Sequence, residues 1–210
     1  FDTDNLKEER FEKQYQAVRR GEVDILVGTQ MLVKGLDLPR LGMVGVVAAD
    51  SSLYFPDFTA EEQTYQLLTQ VIGRVGRGHT ESSSVVIQTY DPNGRSLQAA
   101  ITKDWQGFYK SQLEERKEHH YPPFYYMLKL YCSRKSQAAA VKSATNLKGL
   151  LIEAQLPIEL TGPAPRFIEQ SNGQYSWQLI VKSKQRSVLT DVVQMLPANW
   201  SHDIDPLNLL

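Results

Sequence analysis

The segment QVIGRVGRG, residues 70–78, places a glutamine and two arginines at the spacing of successive helical turns. At about 100° of rotation per residue, Gln70, Arg74 and Arg77 fall within roughly 60° of one another. Two guanidinium groups on one stripe favour a shared anion, because the planar fork of arginine matches phosphate oxygens. A solvated helix face with surface arginines is the alternative. The opposite stripe is apolar and predicts a face packed on a core: Leu68, Val71, Ile72 and Val75.

This segment resembles motif VI (QxxGRxGR) of the superfamily 2 helicases. In that family the motif VI arginines reach across a cleft to the phosphates of ATP, which the other motor lobe binds. The resemblance therefore implies that Arg74 and Arg77 are the catalytic residues of this chain. It also implies that Gln70 belongs to the nucleotide-binding set.

A second segment, GTQMLVKGLDLP at residues 28–39, follows a short apolar run and ends in proline. A small hydroxyl and an amide at the end of a strand can contact a phosphate backbone; a turn closed by proline is the alternative. The segment resembles motif V of the same helicases. That resemblance implies that Thr29 and Gln30 bind DNA, and that Gly35 and Asp37 face the nucleotide and the motif VI arginines.

Strand and helix patterns alternate through the first half of the chain. Apolar runs predict strands at residues 24–28, 43–50 and 84–89, and Thr59 with Glu62 predicts a capping box at the start of the arginine-bearing helix. The alternation predicts an α/β fold with a parallel sheet and flanking helices. Together with the motifs, it predicts a RecA-like helicase lobe over residues 1–103.

The second half of the chain has a different pattern. A polar helix at residues 104–120 links the two regions and ends at YPPF, residues 121–124. Beyond it, strands and helices follow in the order β-α-β-β-α-β, which predicts a small α+β ferredoxin-like domain over residues 121–210. The strands are expected near residues 124–132, 157–161, 175–182 and 200–204. This fold hosts many functions and names none of them.

Basic side chains in the second half permit contacts with a nucleic-acid backbone. Residues 121–210 hold 9 Lys and Arg against 6 Asp and Glu, and six of these cations lie at strand ends and loops: Arg134, Lys135, Arg166, Lys182, Lys184 and Arg186. Tyr175 and Trp177 could stack bases, but aromatic residues at strand spacing are more often in a core. His119 and His120 have no clear further ligands, so no metal site is predicted.

The composition is that of an ordinary globular protein. The chain has 210 residues, a net charge of −1, 41% hydrophobic and 22% charged residues, so any nucleic-acid contact must be local. The single cysteine, Cys132, excludes a disulfide framework and is expected to be a small buried hydrophobic residue in a reducing compartment. No signal peptide or membrane-spanning run is evident. The start at Phe1 indicates part of a larger protein.

The motif VI run is shared with RecG-like translocases, but other segments are closer to the primosomal replication-restart helicases of the PriA family. These are GTQMLVKG, the loop at residues 50–58, YPPF at 121–124 and DIDP at 203–206. We interpret the chain as the second motor lobe plus the C-terminal domain of a PriA-like protein. The resemblance implies an ATP-dependent 3′ to 5′ DNA helicase of bacterial replication restart, located in the cytoplasm near the nucleoid.

The resemblance also implies cofactors and partners. ATP and Mg²⁺ would be bound mainly by a first lobe outside this chain, so the chain alone is not expected to hydrolyse ATP, and zinc is expected only upstream. The implied partners are forked or single-stranded DNA, primosome proteins and single-stranded DNA-binding protein, with no membrane. Two alternatives stay open: a RecG-like duplex DNA translocase, and a non-catalytic module that binds DNA or a partner through residues 121–210.

Overall fold

The computed structural model describes residues 5–29, 41–73 and 83–209. The chain divides into two compact units. The first contains Phe1–Tyr54 and Ala60–Phe108, and the second contains Phe55–Thr59 and Tyr109–Leu210. The short segment Phe55–Thr59 therefore groups with residues far along the chain. The predicted domain limits at residues 103 and 120 stay predictions.

The first unit is an α/β arrangement built on a parallel pair of strands, as predicted. Its elements in chain order are α1 (Asn5–Arg20), β1 (Met43–Val46), a 3-10 helix (Ala49–Tyr54), α2 (Ala60–Ile72), β2 (Ser84–Ile87), α3 (Arg95–Thr102) and the start of α4 (Trp105–Glu118). β1 and β2 run parallel, with Val44 opposite Val85. Between them and the helices lies a small core of Ala49, Leu68, Leu97 and Ala100.

The helix α1 ends at Arg20, directly before a glycine. Gly21 has φ = 76°, in the left-handed region that glycine adopts without steric penalty. Its N–H bonds to the carbonyl of Val18 at 3.0 Å, and the N–H of Glu22 bonds to Ala17 at 3.0 Å. These two bonds satisfy carbonyl groups that a helix end otherwise leaves open.

The strand predicted at residues 24–28 is wrong. This segment is irregular in the structure, and the side chains of Ile25 and Val27 are 81% and 83% exposed. A strand is stabilised by a backbone ladder and by burial of its side chains, and this segment has neither. An apolar run of five residues indicates that burial would be favourable. A strand also needs a neighbouring strand for its backbone hydrogen bonds, and the run does not provide one.

The second unit confirms the predicted ferredoxin-like fold. Its elements are the end of α4, β3 (Tyr126–Arg134), α5 (Gln137–Glu153), β4 (Glu159–Ser171), β5 (Gln174–Ser183), α6 (Arg186–Gln194) and β6 (Ser201–Ile204). The sheet order is β4-β5-β3-β6, and each neighbouring pair is antiparallel. The two helices each connect strands that are not adjacent, as a βαββαβ chain requires.

The strand β4 is longer than the sequence predicts. It continues through Pro163 and Pro165, with shifts in register between Thr161 and Ala164 and again between Pro165 and Gln170. Proline donates no backbone hydrogen bond, so it is tolerated on an edge strand and at bulges. Because β4 is the edge of the sheet, the prolines interrupt the ladder without ending the strand.

One face of the four-stranded sheet packs on α5 and α6. Leu128, Leu130 and Cys132 of β3 lie there with Leu179 and Val181 of β5. The helices cover them with five buried side chains: Ala144, Leu147, Leu151, Leu189 and Val192. Cys132 is buried, as predicted, and burial raises the pKa of its thiol.

On the opposite face of this sheet, the central strands β3 and β5 also carry buried side chains, which alternation along β3 did not predict. We call this the second face; it carries Met127, Lys129, Ile180 and Lys182, which are at most 8% exposed. Burial lowers the pKa of both lysines. The second face is therefore part of the protein interior and contains charged side chains.

Among the helices of the described ranges, none combines the length and the apolar character needed to cross a membrane.

Candidate functional site

Helix α2 carries Gln70, the first residue of the motif VI segment. Asp57 binds Thr59, the residue directly before this helix. The Oδ1 atom of Asp57 accepts hydrogen bonds from the N–H of Thr59 at 2.8 Å and from its hydroxyl at 2.5 Å. Thr59 is followed directly by Ala60, the first residue of α2. The capping box predicted between Thr59 and Glu62 stays a prediction; what the structure adds is the role of Asp57.

The buried face of α2 matches the predicted apolar stripe. Leu68 and Val71 are 1% and 3% exposed, and Ile72 packs on the same core. Gln70 is exposed on the last turn of the helix. Anchoring one face by apolar contacts fixes the rotation of the helix, so Gln70 projects away from the core.

The predicted site residues are described only in part. Arg74, Arg77, Gly35, Asp37 and Gln30 lie outside the described residues, as does Val75 of the apolar stripe. The two that are described, Thr29 and Gln70, both have exposed side chains in the first unit, where a nucleotide or a DNA strand has access to them. The geometry of the full set therefore stays a prediction.

A buried carboxylate holds together the carboxyl ends of β1 and β2. Asp50 is 8% exposed; its Oδ1 accepts a hydrogen bond from the Thr89 hydroxyl at 2.6 Å, and its Oδ2 accepts one from the N–H of Tyr90 at 2.6 Å. These bonds stabilise the ionised form and lower the pKa of Asp50. Ligands of open α/β sheets bind at this end of the strands, so Asp50 stabilises the end of the sheet at which a ligand is expected.

The chain also changes direction beside Asp50. Ala48 has φ = 51°, a left-handed conformation that is uncommon for a residue with a side chain. The N–H of Ala49 bonds to the carbonyl of Gln88 at 3.0 Å, one residue beyond the β1–β2 ladder. The turn leads into the 3-10 helix Ala49–Tyr54, whose first residue packs against α2 in the core of this unit.

Several basic side chains proposed for nucleic-acid contact bind protein groups instead. Lys182 is buried; its Nζ donates to the carbonyl of His119 at 2.7 Å and lies 3.7 Å from the centre of the Tyr121 ring. Arg134 donates to the Asn199 carbonyl and the Ser143 hydroxyl. Lys182 is therefore not available to a phosphate, because the groups around it already use its charge and donors.

Two further cations of that set are also engaged. Arg166 lies 4.6 Å above the Tyr131 ring, and Arg186 forms an exposed ion pair with Asp205 at 2.9 Å. Lys135 and Lys184 are exposed, and the Nζ atom of Lys184 lies 5.6 Å from the centre of the Tyr125 ring. Of the six basic residues, Lys135 thus keeps the clearest access to an external backbone.

The aromatic and histidine candidates have structural roles in the second unit. Trp177 packs against the core, which confirms the alternative to base stacking. The Nδ1 atom of His120 pairs with Glu159 at 2.7 Å, and its ring stacks on Tyr125. Within the described residues, no group of three potential ligands could hold a metal ion.

Sequence reasoning missed two residues. Asp57 has a local signal, because an aspartate two residues before a threonine that precedes a helix is typical of such a turn. Lys129 lies within an apolar strand, and its burial has no local signal. The burial of Lys129 depends on contacts between distant segments, which spacing along the chain does not reveal.

Comparison with known proteins divides the chain in the same order as the motifs. Residues 2–79 match the helicase conserved C-terminal domain, and residues 117–207 match the primosomal protein N C-terminal domain. Replication restart protein PriA of Bacillus subtilis is 36% identical over 200 residues, covering 95% of this chain and 25% of its own length.

Other relatives agree over nearly the whole chain. Replication restart protein PriA of Synechocystis is 41% identical over 199 residues, covering 91% of this chain and 24% of its own length. The protein of the same name from Treponema pallidum is 32% identical over 219 residues, covering 100% of this chain and 33% of its own length. The chain thus spans a quarter to a third of the length of these relatives. Two family models matched in order, and relatives aligned across both, lead to one conclusion: the chain belongs to the PriA family of replication restart proteins.

Proposed function

We propose that this chain is the second motor lobe and C-terminal domain of an ATP-dependent 3′ to 5′ DNA helicase that restarts replication at stalled forks. The observation that carries the proposal is the setting of Gln70. It is exposed on the last turn of a helix whose other face is buried, directly before the segment GRVGRG. Relatives named for replication restart share both halves of the chain.

In this proposal, Arg74 and Arg77 stabilise the charge that develops on the γ-phosphate of ATP during hydrolysis. An arginine suits this role because its charge is permanent and its donors are arranged in a plane. Gly35 and Asp37 face the nucleotide, and the exposed amide of Gln70 fits a polar contact in the same set. ATP is the substrate, and the first motor lobe holds most of it together with its Mg²⁺ ion. The chain alone therefore does not turn over ATP.

DNA would be contacted in the first unit by Thr29 and Gln30, at the start of the motif V segment. The exposed hydroxyl of Thr29 fits a hydrogen bond to a phosphate oxygen. Movement of this segment when the nucleotide cleft closes would shift the bound strand and produce a step. Forked or single-stranded DNA is the proposed substrate. Primosome proteins and single-stranded DNA-binding protein are the proposed partners, and the bacterial cytoplasm near the nucleoid is the proposed location.

The experiment is ATP hydrolysis by the full-length protein with and without forked DNA. We expect Arg77→Ala to lower DNA-stimulated kcat by at least about a hundredfold, because arginines at this position of a phosphoryl-transfer site contribute about 10³–10⁵ in rate. Binding of forked DNA should change little. Arg95→Ala is the matched control: Arg95 forms an exposed ion pair with Glu61 at 3.1 Å in the same unit, and such pairs contribute little to stability.

Retained turnover in Arg77→Ala would contradict the catalytic role of this arginine. Absence of turnover in the intact protein would contradict the motor function altogether. The non-catalytic binding module would then be the remaining interpretation, with residues 121–210 as its DNA- or partner-binding part. Turnover without displacement of a strand from a fork would instead favour the duplex translocase.

A further inference from the structure

The sheet of the second unit is not covered along the whole length of its second face. On β3, the burial of this face decreases from Met127 and Lys129, which are 0% and 4% exposed, to Tyr131, which is partly buried. Ser133, the last residue of β3 on this face, is exposed. The second face therefore opens toward the carboxyl end of β3. We call this part the open end of the second face; it consists of Tyr131, Ser133, Arg166 and Gln178.

The open end brings an aromatic ring, a guanidinium and an amide together. Gln178 of β5 is directly opposite Tyr131 in the antiparallel register, and opposite residues of such a pair lie on the same face. The guanidinium of Arg166, on the edge strand β4, lies 4.6 Å from the centre of the Tyr131 ring. Beside them, the hydroxyl oxygens of Ser133 and Ser176 are 2.8 Å apart in a hydrogen bond.

Two polar atoms at the open end are buried without a hydrogen bond. Within the part of the chain that the structure describes, the Nε atom of Arg166 and the Oε1 atom of Gln178 have no partner. A buried donor or acceptor without a partner is unfavourable, so these side chains gain by turning toward a ligand that offers the missing groups. A nucleotide offers both kinds, because its phosphate and carbonyl oxygens accept and its base N–H groups donate.

The charges near the open end favour an anion. Burial is the main cause that lowers the pKa of Lys129, and the positive charge of Arg166 lowers it further. The carboxylates of Asp57 and Asp203 act in the opposite direction. Arg166 therefore lies close enough to a second cation for their charges to interact, and a phosphate beside Arg166 would reduce this repulsion.

The position of Tyr131 in the sheet fits a known way of binding single strands. Helices α5 and α6 pack on the opposite face. RNA-recognition motif domains also contain a four-stranded sheet, and aromatic side chains of that sheet stack two or three bases. A fold alone assigns no function. The fit here comes from the site, because Tyr131 is an aromatic residue of a central strand in the open part of the face away from α5 and α6.

We propose that the open end of the second face binds single-stranded DNA, with one base stacked on the Tyr131 ring in place of Arg166 and the Arg166 guanidinium turned to a neighbouring phosphate. The inference rests on the proposed function in taking DNA as the ligand. A cation–π contact uses none of the N–H donors of arginine, so a phosphate can bind them. No hydrogen bond through Nε holds the guanidinium over the ring, so a base can displace it.

The test separates contacts to bases from contacts to the backbone. A fluorescently labelled oligothymidylate is bound to the 210-residue chain and compared, by anisotropy, with a strand of the same length that has no bases. The two strands carry the same charge, so the difference between their affinities reports the bases alone. We expect the chain to bind oligothymidylate about tenfold more tightly, which is the size of effect expected for one stacked base.

Substitution of Tyr131 assigns this difference to one ring. Tyr131→Ala should lower the affinity for oligothymidylate by about tenfold and leave the affinity for the abasic strand within about twofold of wild type. Tyr131→Phe keeps the ring and should keep the preference for bases. Tyr126→Ala is the matched control, since this tyrosine of the same strand is 43% exposed and lies outside the open end; it should change neither affinity.

Substitution of Arg166 tests the phosphate contact independently. Arg166→Ala should lower the affinity for both strands and reduce the slope of log affinity against log salt by about 0.7, the value for one phosphate of a single strand. Lys142→Ala is the control, because Lys142 is an exposed cation on α5, and α5 packs on the other face of the sheet; it should leave the slope unchanged. Thermal melting identifies a variant that does not fold, and if Tyr131→Ala is one, Arg166→Ala provides the test.

Four outcomes would overturn the inference. The first is equal affinity of the wild-type chain for the oligothymidylate and the abasic strand. The second is a preference for bases that survives Tyr131→Ala in a folded variant. The third is a salt slope that Arg166→Ala and Lys142→Ala lower equally. The fourth is binding of the matching RNA strand through Tyr131 more than about tenfold tighter than DNA, which would overturn the assignment to DNA.

The outcomes also separate this inference from the proposed function. ATP turnover by the full-length protein without a base preference at Tyr131 would overturn the inference and leave the helicase function intact. A base preference that depends on Tyr131, in a chain whose full-length protein hydrolyses no ATP, would support the inference and contradict the helicase function.

Discussion

The two units of this chain bury their sheets to different extents. In the second unit, the central strands β3 and β5 carry buried side chains on both faces, and even Lys129 and Lys182 are nearly inaccessible to solvent. In the described part of the first unit, two parallel strands pair only with each other. Large apolar side chains there stay exposed, among them Ile25, Val27, Met43, Val47 and Val86.

This difference indicates how stability and chemistry are distributed. The second unit has an extensive core of its own, which is the property of a part that could fold independently. The first unit carries the segments proposed for catalysis, and its described residues form a small core of alanines and leucines. Regions that move during function are drawn from the less stable parts of proteins, so stability is expected to be concentrated in the second unit.

The largest effect is expected in the core of the second unit. Leu130 is fully buried between β3 and the helices, so Leu130→Ala should lower the free energy of unfolding of this unit by about 2–5 kcal/mol. Urea denaturation followed by tryptophan fluorescence measures it. Leu207→Ala is the control; this leucine is 88% exposed, and its replacement should change the free energy by less than about 0.5 kcal/mol. Equal effects of the two substitutions would show that the second unit is not packed as described.

A smaller loss is expected at Asp50 in the first unit. Asp50→Ala leaves the Thr89 hydroxyl and the Tyr90 N–H without their acceptor, which should cost about 1.5–3 kcal/mol at neutral pH. Hydrogen exchange of backbone amides of β1 and β2 measures the local effect. Protection unchanged by the substitution would mean that other contacts hold the two strand ends together.

The contribution of Asp50 should also depend on pH. Its pKa is lower in the folded state than in the unfolded state, so its stabilising effect is complete above the unfolded value of about 3.9. It is lost as the pH falls through the folded value. Asp50→Asn should remove this part of the acid dependence, and an unchanged acid transition of the first unit would contradict the assignment.

The smallest effect is expected at Val27. Because its side chain is 83% exposed, Val27→Ser should change the free energy of unfolding of the chain by less than about 0.5 kcal/mol. Denaturation of the 210-residue chain measures it. A loss above about 1 kcal/mol would mean that Val27 is buried in a strand after all, and the contrast between the two units would weaken.

Sequence patterns predicted the second unit better than the first. Period-two alternation along β3 and β5 gave the strands and the face that packs on α5 and α6, including Cys132 and Trp177. The same kind of reasoning failed at residues 24–28, where a short apolar run pairs with no strand among the residues that the structure describes. Local periodicity reports which side chains favour burial, and a ladder requires a neighbour that periodicity does not identify.

For the site, the order and spacing of the motifs were sufficient to indicate the family, and the buried face of α2 was predicted from its apolar stripe. The surroundings of the site were not predicted. Lys182 was among the cations that could contact a nucleic-acid backbone, but it binds the His119 carbonyl and the Tyr121 ring. Asp50 had no assigned role because its partners lie about 40 residues along the chain, and the contact of Asp57 with Leu209 spans 152 residues.

The sequence by itself determined the α/β class of the first half, the βαββαβ order of the second and the membership in the PriA family. These depend on short-range spacing and on motifs that can be recognised without coordinates. Only the tertiary structure decided that Phe55–Thr59 packs with the second unit and that the central strands of its sheet carry buried side chains on both faces. Asp57 and Leu209 are 152 residues apart, and a contact at that separation depends on how the whole chain folds rather than on any local pattern.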